Sequence, residues 1–107
     1  STSKFAIRGL TQVLAKELGS YGIQVNAICP GAVITERTKS LAKALAPKGT
    51  NTNKAIKNYI NERLSGTPLG RLCTTNDIAQ ITAFLVSSES DFINGKSITV
   101  DGGKTTD

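Results

Sequence analysis

A proline-glycine elbow follows an apolar strand pattern in the first third of the chain. Residues 23–29 are mostly apolar, and Pro30-Gly31 comes directly after them. Ligands of open α/β sheets bind beyond the carboxyl ends of the strands. Pro30 lacks a backbone donor and ends the ladder, and Gly31 permits a sharp turn and the close approach of a ligand. The residues after the elbow are therefore predicted to form one side of a binding crevice.

A second candidate for chemistry is Lys4, in the first turn of a predicted amphipathic helix over residues 3–20. Apolar side chains recur there at helical spacing: Phe5, Ile7, Leu10, Val13, Leu14 and Leu18. Gly19 and Gly22 are placed to end the helix and begin a turn. A lysine in a first helical turn is by itself most simply a solvated charge. A chemical role for it needs support from the rest of the chain.

The remaining pattern predicts two helices within residues 36–66, a helix after Thr74 and a strand at 96–101. Segment 36–66 is either a pair of surface helices or a lid that folds over a ligand. A long helical crossover between two strands predicts a parallel βαβ unit and an α/β fold. Two strands form a poor sheet by themselves, so the fold is expected to be incomplete on its own.

The net charge of +5 is unevenly distributed along the chain. Residues 37–63 contain seven basic side chains and one acidic side chain, Glu62. The basic residues are Arg37, Lys39, Lys43, Lys48, Lys54, Lys57 and Arg63. One interpretation is a solvated segment that keeps the protein soluble. Another is attraction of an anionic substrate or cofactor. Nucleic acid is a weaker alternative because aromatic residues do not interleave with the basic ones.

Composition excludes several classes of protein. The chain is 38% hydrophobic and 20% charged, without an apolar run of the ~20 residues that cross a bilayer. No secretory signal pattern is visible, and we expect a cytoplasmic protein in which a Cys29–Cys73 disulfide is disfavoured. Without histidine, the two distant cysteines predict no metal site. The first residue is Ser1, inside a helical pattern, which suggests a fragment, a processed product or an incomplete record.

Five segments taken together resemble the C-terminal half of a short-chain dehydrogenase/reductase. They occur in that family's order and at close to its spacing over nearly all of the chain: Ser1-Thr2-Ser3-Lys4-Phe5-Ala6, Val25-Asn26-Ala27-Ile28-Cys29-Pro30-Gly31, Val33-Ile34-Thr35, Pro68-Leu69-Gly70-Arg71 and Ile98-Thr99-Val100-Asp101-Gly102-Gly103. The resemblance implies the C-terminal part of a Rossmann-like doubly wound parallel sheet. Residues 1–107 would be the substrate-side portion of one such domain, with 36–66 as the substrate lid.

The resemblance gives Lys4 a catalytic and cofactor-binding role. The family carries a Tyr-x-x-x-Lys pair, and Lys4 matches its lysine, which places the tyrosine immediately before Ser1. In such enzymes the tyrosine is the general acid/base, while the lysine lowers its pKa and holds the nicotinamide ribose. Tyr21 does not match that tyrosine because it follows the helix.

The resemblance also assigns the loop after the first strand to the cofactor. Pro30 and Gly31 would pack along the nicotinamide ring, and the Val33 backbone would meet the carboxamide. The Thr35 hydroxyl would bond the carboxamide or a cofactor phosphate. The alternative for Thr35 is an N-cap of the next helix, and the two roles are compatible. Asn26 is predicted to be structural, tying neighbouring loops through its side chain.

The implied activity is hydride transfer between NAD or NADP and a secondary alcohol or ketone. A small-molecule substrate and a homo-oligomer, dimer or tetramer, are implied as partners. The family's glycine-rich turn, which cradles the cofactor pyrophosphate, has no counterpart in these 107 residues, so the chain alone is predicted to be inactive. Two alternatives stay open: a non-catalytic truncated module that pairs with a full-length subunit, and, more weakly, a basic nucleic-acid binder.

Overall fold

The computed structural model describes residues 2–33 and 35–105. Ser1 and Ile34, which belong to two of the motifs above, lie outside the described residues. Six longer elements follow one another: α1 (Thr2–Leu18), β1 (Ala27–Pro30), α2 (Glu36–Leu45), α3 (Thr52–Leu64), α4 (Thr75–Leu85) and β2 (Ser97–Val100). Short 3₁₀ turns at Gly19–Tyr21 and Ser88–Ser90 follow α1 and α4. The predicted order of elements is confirmed.

β1 and β2 lie side by side in a parallel, two-stranded sheet. Each strand therefore keeps one edge unpaired within the described part of the chain. This confirms the predicted α/β class and the incomplete sheet. The chain divides into two units, Ser1–Cys29 with Asn76–Val100 and Pro30–Thr75 with Asp101–Asp107.

In the first unit, the buried side of α1 is lined by small residues and not by its large apolar side chains. Thr11 and Ala15 are buried, whereas Phe5 and Leu10 are 70% and 59% exposed. Gly95 explains the preference for a small residue: a Cβ atom built on it would lie 3.2 Å from the Ala15 Cβ. The close approach of helix and turn requires both to be small.

The first strand is shorter than predicted. The apolar run 23–29 indicated a strand throughout, but β1 begins only at Ala27. Before that point one partner is a side chain: the Val25 N–H donates to Asn94 Oδ1 at 2.9 Å, although the Val25 carbonyl still accepts from the Gly95 N–H at 2.8 Å. An apolar pattern reports burial, while the backbone partners decide where a ladder starts.

Asn26 ties the residues before β1 to those before β2. Its side-chain nitrogen donates to the Ile93 carbonyl at 3.0 Å, and its side-chain oxygen accepts from the Lys96 N–H at 3.0 Å. Both ends of one amide are thus used across residues distant in sequence. The predicted structural role of Asn26 is confirmed.

In the second unit, α2 and α3 pack against each other, with Ala42 and Ala55 buried. Asn51 caps α3 by accepting from the N–H groups of Asn53 and Lys54. The turn after β2 is bound to the same unit, because Leu69 donates its N–H to the Gly102 carbonyl at 3.2 Å. Gly102 has a φ of 65°, which favours glycine there.

Both cysteines, Cys29 and Cys73, carry free thiols. Among residues 2–33 and 35–105, no group of three or more acidic or cysteine side chains is arranged to hold a metal ion. Across the same residues, no helix has both the length and the apolar character to span a bilayer.

Candidate functional site

The loop that leaves β1 is held by backbone hydrogen bonds of the second unit. Pro30, the last residue of β1, is exposed, and Gly31 is half-buried. Ala32 accepts a hydrogen bond from the Cys73 N–H at 3.1 Å, and Val33 forms a parallel bridge with Cys73. These bonds fix the path of the backbone beyond the carboxyl end of β1. The loop that carries the predicted site residues Pro30, Gly31, Val33 and Thr35 therefore has a defined backbone path, and its binding role stays a prediction.

Thr35 and Thr38 form a reciprocal cap at the start of α2. Thr35 Oγ1 accepts from the Thr38 N–H at 3.3 Å, and Thr38 Oγ1 accepts from the Thr35 N–H at 2.7 Å. This confirms that Thr35 is an N-cap, and the cap explains why α2 begins at Glu36. A hydroxyl has one donor and two acceptor positions, so the cap leaves its hydrogen able to donate to a ligand.

Gly31 does not have a positive φ, unlike several other glycines of the chain. Left-handed backbone therefore does not explain the glycine at this position. A glycine also carries no side chain, which permits a ligand to come close to the backbone.

Lys4 lies in the first unit, in the first turn of α1, where it is half-buried. A positive charge at a helix N-terminus is opposed by the helix macrodipole. The helix macrodipole therefore does not explain a lysine at this position. Pro30, Gly31, Val33 and Thr35 share one loop of the second unit.

The sequence prediction missed a pair of residues on α3. The Arg63 guanidinium carbon lies 4.6 Å from the centre of the Tyr59 ring. Hydrogen bonding and attraction from the Tyr59 side chain raise the pKa of Arg63 above its ordinary value. The spacing of four residues places both side chains on one helix face and was the available signal.

Tyr59 and Ala42 also line a pocket beside Ala32 and Val33. The helix pair α2–α3 therefore packs directly against the loop that leaves β1. The interpretation of residues 36–66 as a lid stays a prediction.

A family model described as enoyl-(acyl carrier protein) reductase matches residues 1–105. The chain belongs to the short-chain dehydrogenase/reductase family. The family resemblance drawn from the five sequence segments is thereby confirmed.

Known members of this family resemble the chain over almost its full length. A diacetyl reductase, (S)-acetoin forming, from Staphylococcus aureus is 39% identical over 102 residues, which are 95% of this chain and 38% of the relative. A crystal structure of a short chain dehydrogenase family protein from Francisella tularensis has a TM-score of 0.82 at 35% identity, covering 96% of this chain and 41% of that one.

L-sorbose reductase from Gluconobacter frateurii, solved with NADPH and L-sorbose, has a TM-score of 0.86 at 27% identity. The match covers 99% of this chain and 40% of that chain. This short-chain dehydrogenase/reductase sequence thus spans about two fifths of the length of the relatives that it matches. The named relatives are oxidoreductases.

Proposed function

We propose that this chain is the C-terminal, substrate-side portion of an NAD(P)-dependent oxidoreductase that interconverts a secondary alcohol and a ketone. Family membership supports this proposal, as do the names of the diacetyl and L-sorbose reductases. The observation that carries it is the loop after β1, whose backbone is bonded to Cys73 and whose last residue, Thr35, caps α2. By "the intact enzyme" we mean the protein in which this chain is joined to the family's remaining portion.

The nicotinamide cofactor, NAD or NADP, supplies the hydride when it is bound. The donors of the loop fit it chemically: the Thr35 hydroxyl can donate to a carboxamide or phosphate oxygen while its oxygen caps α2. Pro30 and Gly31 offer a surface without a long side chain for the flat ring, and the Val33 backbone would meet the carboxamide. Lys4 would hold the ribose hydroxyls and favour the phenolate form of the family's tyrosine.

The lid, residues 36–66, is proposed to exclude water from the substrate. α2 and α3 pack against Ala32 and Val33, so a substrate on this loop would be covered by one helix pair. Excluding water strengthens the electrostatic interactions made during the reaction. The chain alone would not perform the reaction, since it lacks the glycine-rich turn and the tyrosine.

A homo-oligomer is proposed to form through α1. Phe5, Leu10 and Val13 are 70%, 59% and 52% exposed, and burial of exposed apolar side chains favours association. Light scattering of the intact enzyme would measure the size of the homo-oligomer.

We further propose that the enzyme is cytoplasmic.

The proposed cofactor-binding role of Thr35 can be separated from its role as an N-cap by measuring two quantities. Thr35→Val removes the hydroxyl at constant shape and is expected to weaken cofactor binding by roughly 3- to 10-fold, as for one lost hydrogen bond. It should also destabilise the protein by about 1 kcal/mol, because the cap is lost. Cofactor Kd and the free energy of unfolding are measured on the intact enzyme.

Thr38→Val is the matched control. It removes the other half of the same capping box and leaves the Thr35 hydroxyl, the proposed cofactor contact, in place. The expected result is a similar loss of stability with an unchanged cofactor Kd. Equal weakening of cofactor binding in both variants would assign Thr35 a capping role alone.

A further inference from the structure

The whole net charge of the chain resides on the lid. Residues 36–66 contain seven basic and two acidic side chains, whereas the remaining residues contain six of each. One of the two acids, Glu36, is paired with Lys39 at 3.5 Å. Solubility depends on the net charge of the whole protein, so it does not require the charge to be concentrated in one segment. A field concentrated on the proposed lid attracts anions and increases their rate of arrival.

α2 and α3 enclose a groove of about 220 Å³ within the second unit. One wall is apolar and formed by Leu45, Ala46 and Pro47, while Asn58, Tyr59, Glu62 and Arg63 contribute polar groups. Ala42 and Tyr59 line both this groove and the pocket beside Ala32 and Val33. The groove therefore shares two lining residues with the pocket beside the loop assigned to the nicotinamide.

Arg63 is held in place at the groove. Its guanidinium stacks over the Tyr59 ring, and its carbonyl accepts from Lys104 Nζ and from Thr67 Oγ1, each at 3.3 Å. A planar guanidinium binds carboxylate and phosphate oxygens through two parallel hydrogen bonds. Because both the side chain and the helix end are restrained, less conformational freedom is lost when an anion binds.

Glu62 lines the same groove and is the competing partner for Arg63. The Tyr59 side chain has a larger influence than Glu62 on the pKa of Arg63, and the direction is upward. A guanidinium keeps its charge at every working pH, and Glu62 is an exposed side chain whose charge is screened by salt. No lysine among the described residues lines the groove, but residues 36–66 as a whole carry seven basic side chains against two acidic ones, so the charge of the segment is positive.

We propose that the groove between α2 and α3 binds a carboxylate or phosphate group of the substrate, with Arg63 as its direct partner. The inference rests on the proposed function and names the substrate class of that same site. The substrate would carry its anionic group a short chain away from the reacting carbonyl. The exposed lysines of the lid would steer it without contacting it.

The test uses the intact enzyme and pairs of carbonyl compounds that differ in charge. Suitable pairs are acetoacetate with acetoacetamide, 2-oxobutanoate with 2-oxobutanamide, and 3-oxobutyl phosphate with 4-hydroxybutan-2-one. We expect the anionic member of at least one pair to have the higher kcat/KM, by roughly tenfold or more, and this preference to fall as salt is added. The first two pairs report a carboxylate site and the third a phosphate site.

Two substitutions of Arg63 test whether it is the residue that binds the anionic group. Arg63→Gln is expected to lower kcat/KM for the preferred anion by roughly 10- to 100-fold, through KM, as for loss of a hydrogen bond to a charged group. Arg63→Lys should recover part of the loss because a point charge remains. Lys48→Gln removes the same charge outside the groove lining and should change kcat/KM by less than about threefold.

Turnover of neutral members without preference for any anion would overturn the inference while leaving the proposed function intact. Turnover of no compound at all would contradict the proposed function itself. An anion preference that survives Arg63→Gln in a folded protein would remove Arg63 from the site. Circular dichroism and the unchanged kcat/KM for the neutral member verify that the variant is folded.

Discussion

Replacing Lys4 with methionine is expected to lower kcat of the intact enzyme by roughly 10²- to 10⁴-fold, the range for loss of general acid/base catalysis. Methionine keeps the length of the side chain and removes the charge. Without the ammonium, the phenol of the family's tyrosine loses the charge that favours its ionised form, so its pKa rises. The pH at which the base form appears should therefore move upward, together with an increased KM for the cofactor.

Lys16→Met is the matched control on the same helix. Lys16 lies in the last turn of α1 and is exposed, so its substitution removes one charge without touching the proposed site. We expect its kcat and its pH profile to equal those of the unmodified enzyme. If Lys4→Met reduced kcat by no more than Lys16→Met, Lys4 would be a surface charge and the assignment from the resemblance would be wrong.

The isolated 107-residue chain is expected to show no NAD(P)H-dependent turnover of any carbonyl compound. It lacks the tyrosine and the glycine-rich turn, so neither proton transfer nor binding of the pyrophosphate is provided for. Its packing points the same way: the buried hydrophobic residues among those described are Ala15, Ala42, Ala55 and Cys73, all small. So few buried apolar residues, together with a sheet of only two strands, give little stability.

The assay monitors cofactor absorbance with the isolated chain and with the intact enzyme at equal concentration. The intact enzyme serves as the positive control for substrate and conditions. Turnover by the isolated chain within about a hundredfold of the intact enzyme would be a loss of less than ~3 kcal/mol of transition-state stabilisation. Such a result would refute the assignment of proton transfer and pyrophosphate binding to the rest of the enzyme.

The order of elements could be predicted from sequence because helix and strand periodicities are local. Exact bounds could not, since they depend on single hydrogen bonds. The start of α2 at Glu36 is an exception, because it agrees with the interpretation of Thr35 as an N-cap; the reciprocal bond with Thr38 was not predicted. β1 starts late because the Asn94 side chain occupies the Val25 N–H. Such side-chain partners are distant in sequence or weak in pattern, and periodicity does not report them.

The packing of α1 shows a second limit of prediction from hydrophobic periodicity. Its large apolar residues gave the clearest helical pattern, yet Ala15 and Thr11 are buried and Phe5 is exposed. Periodicity identifies every apolar face of a helix without saying which surface covers it. The need for a small residue at Ala15 became visible only with Gly95 beside it.

The candidate site depended on family resemblance more than on physics. A single lysine in a helix turn, or one threonine before a helix, does not indicate a catalytic or binding role by its position in the sequence alone. The elbow at Pro30-Gly31 was the one feature that physical reasoning alone associated with a ligand. Arg63 could be counted as a charge in the sequence, but its position over Tyr59 required the structure.

The most direct test of the proposed function is the transfer of deuterium from cofactor to product. The intact enzyme is given NADH or NADPH deuterated on either face of the nicotinamide C4, together with a ketone that it reduces, and the alcohol is examined by mass spectrometry. We predict one deuterium on the carbinol carbon from one of the two faces. Alcohol without deuterium from both labelled cofactors, or no consumption of either cofactor with any ketone, would contradict the proposal that this chain belongs to a hydride-transferring enzyme.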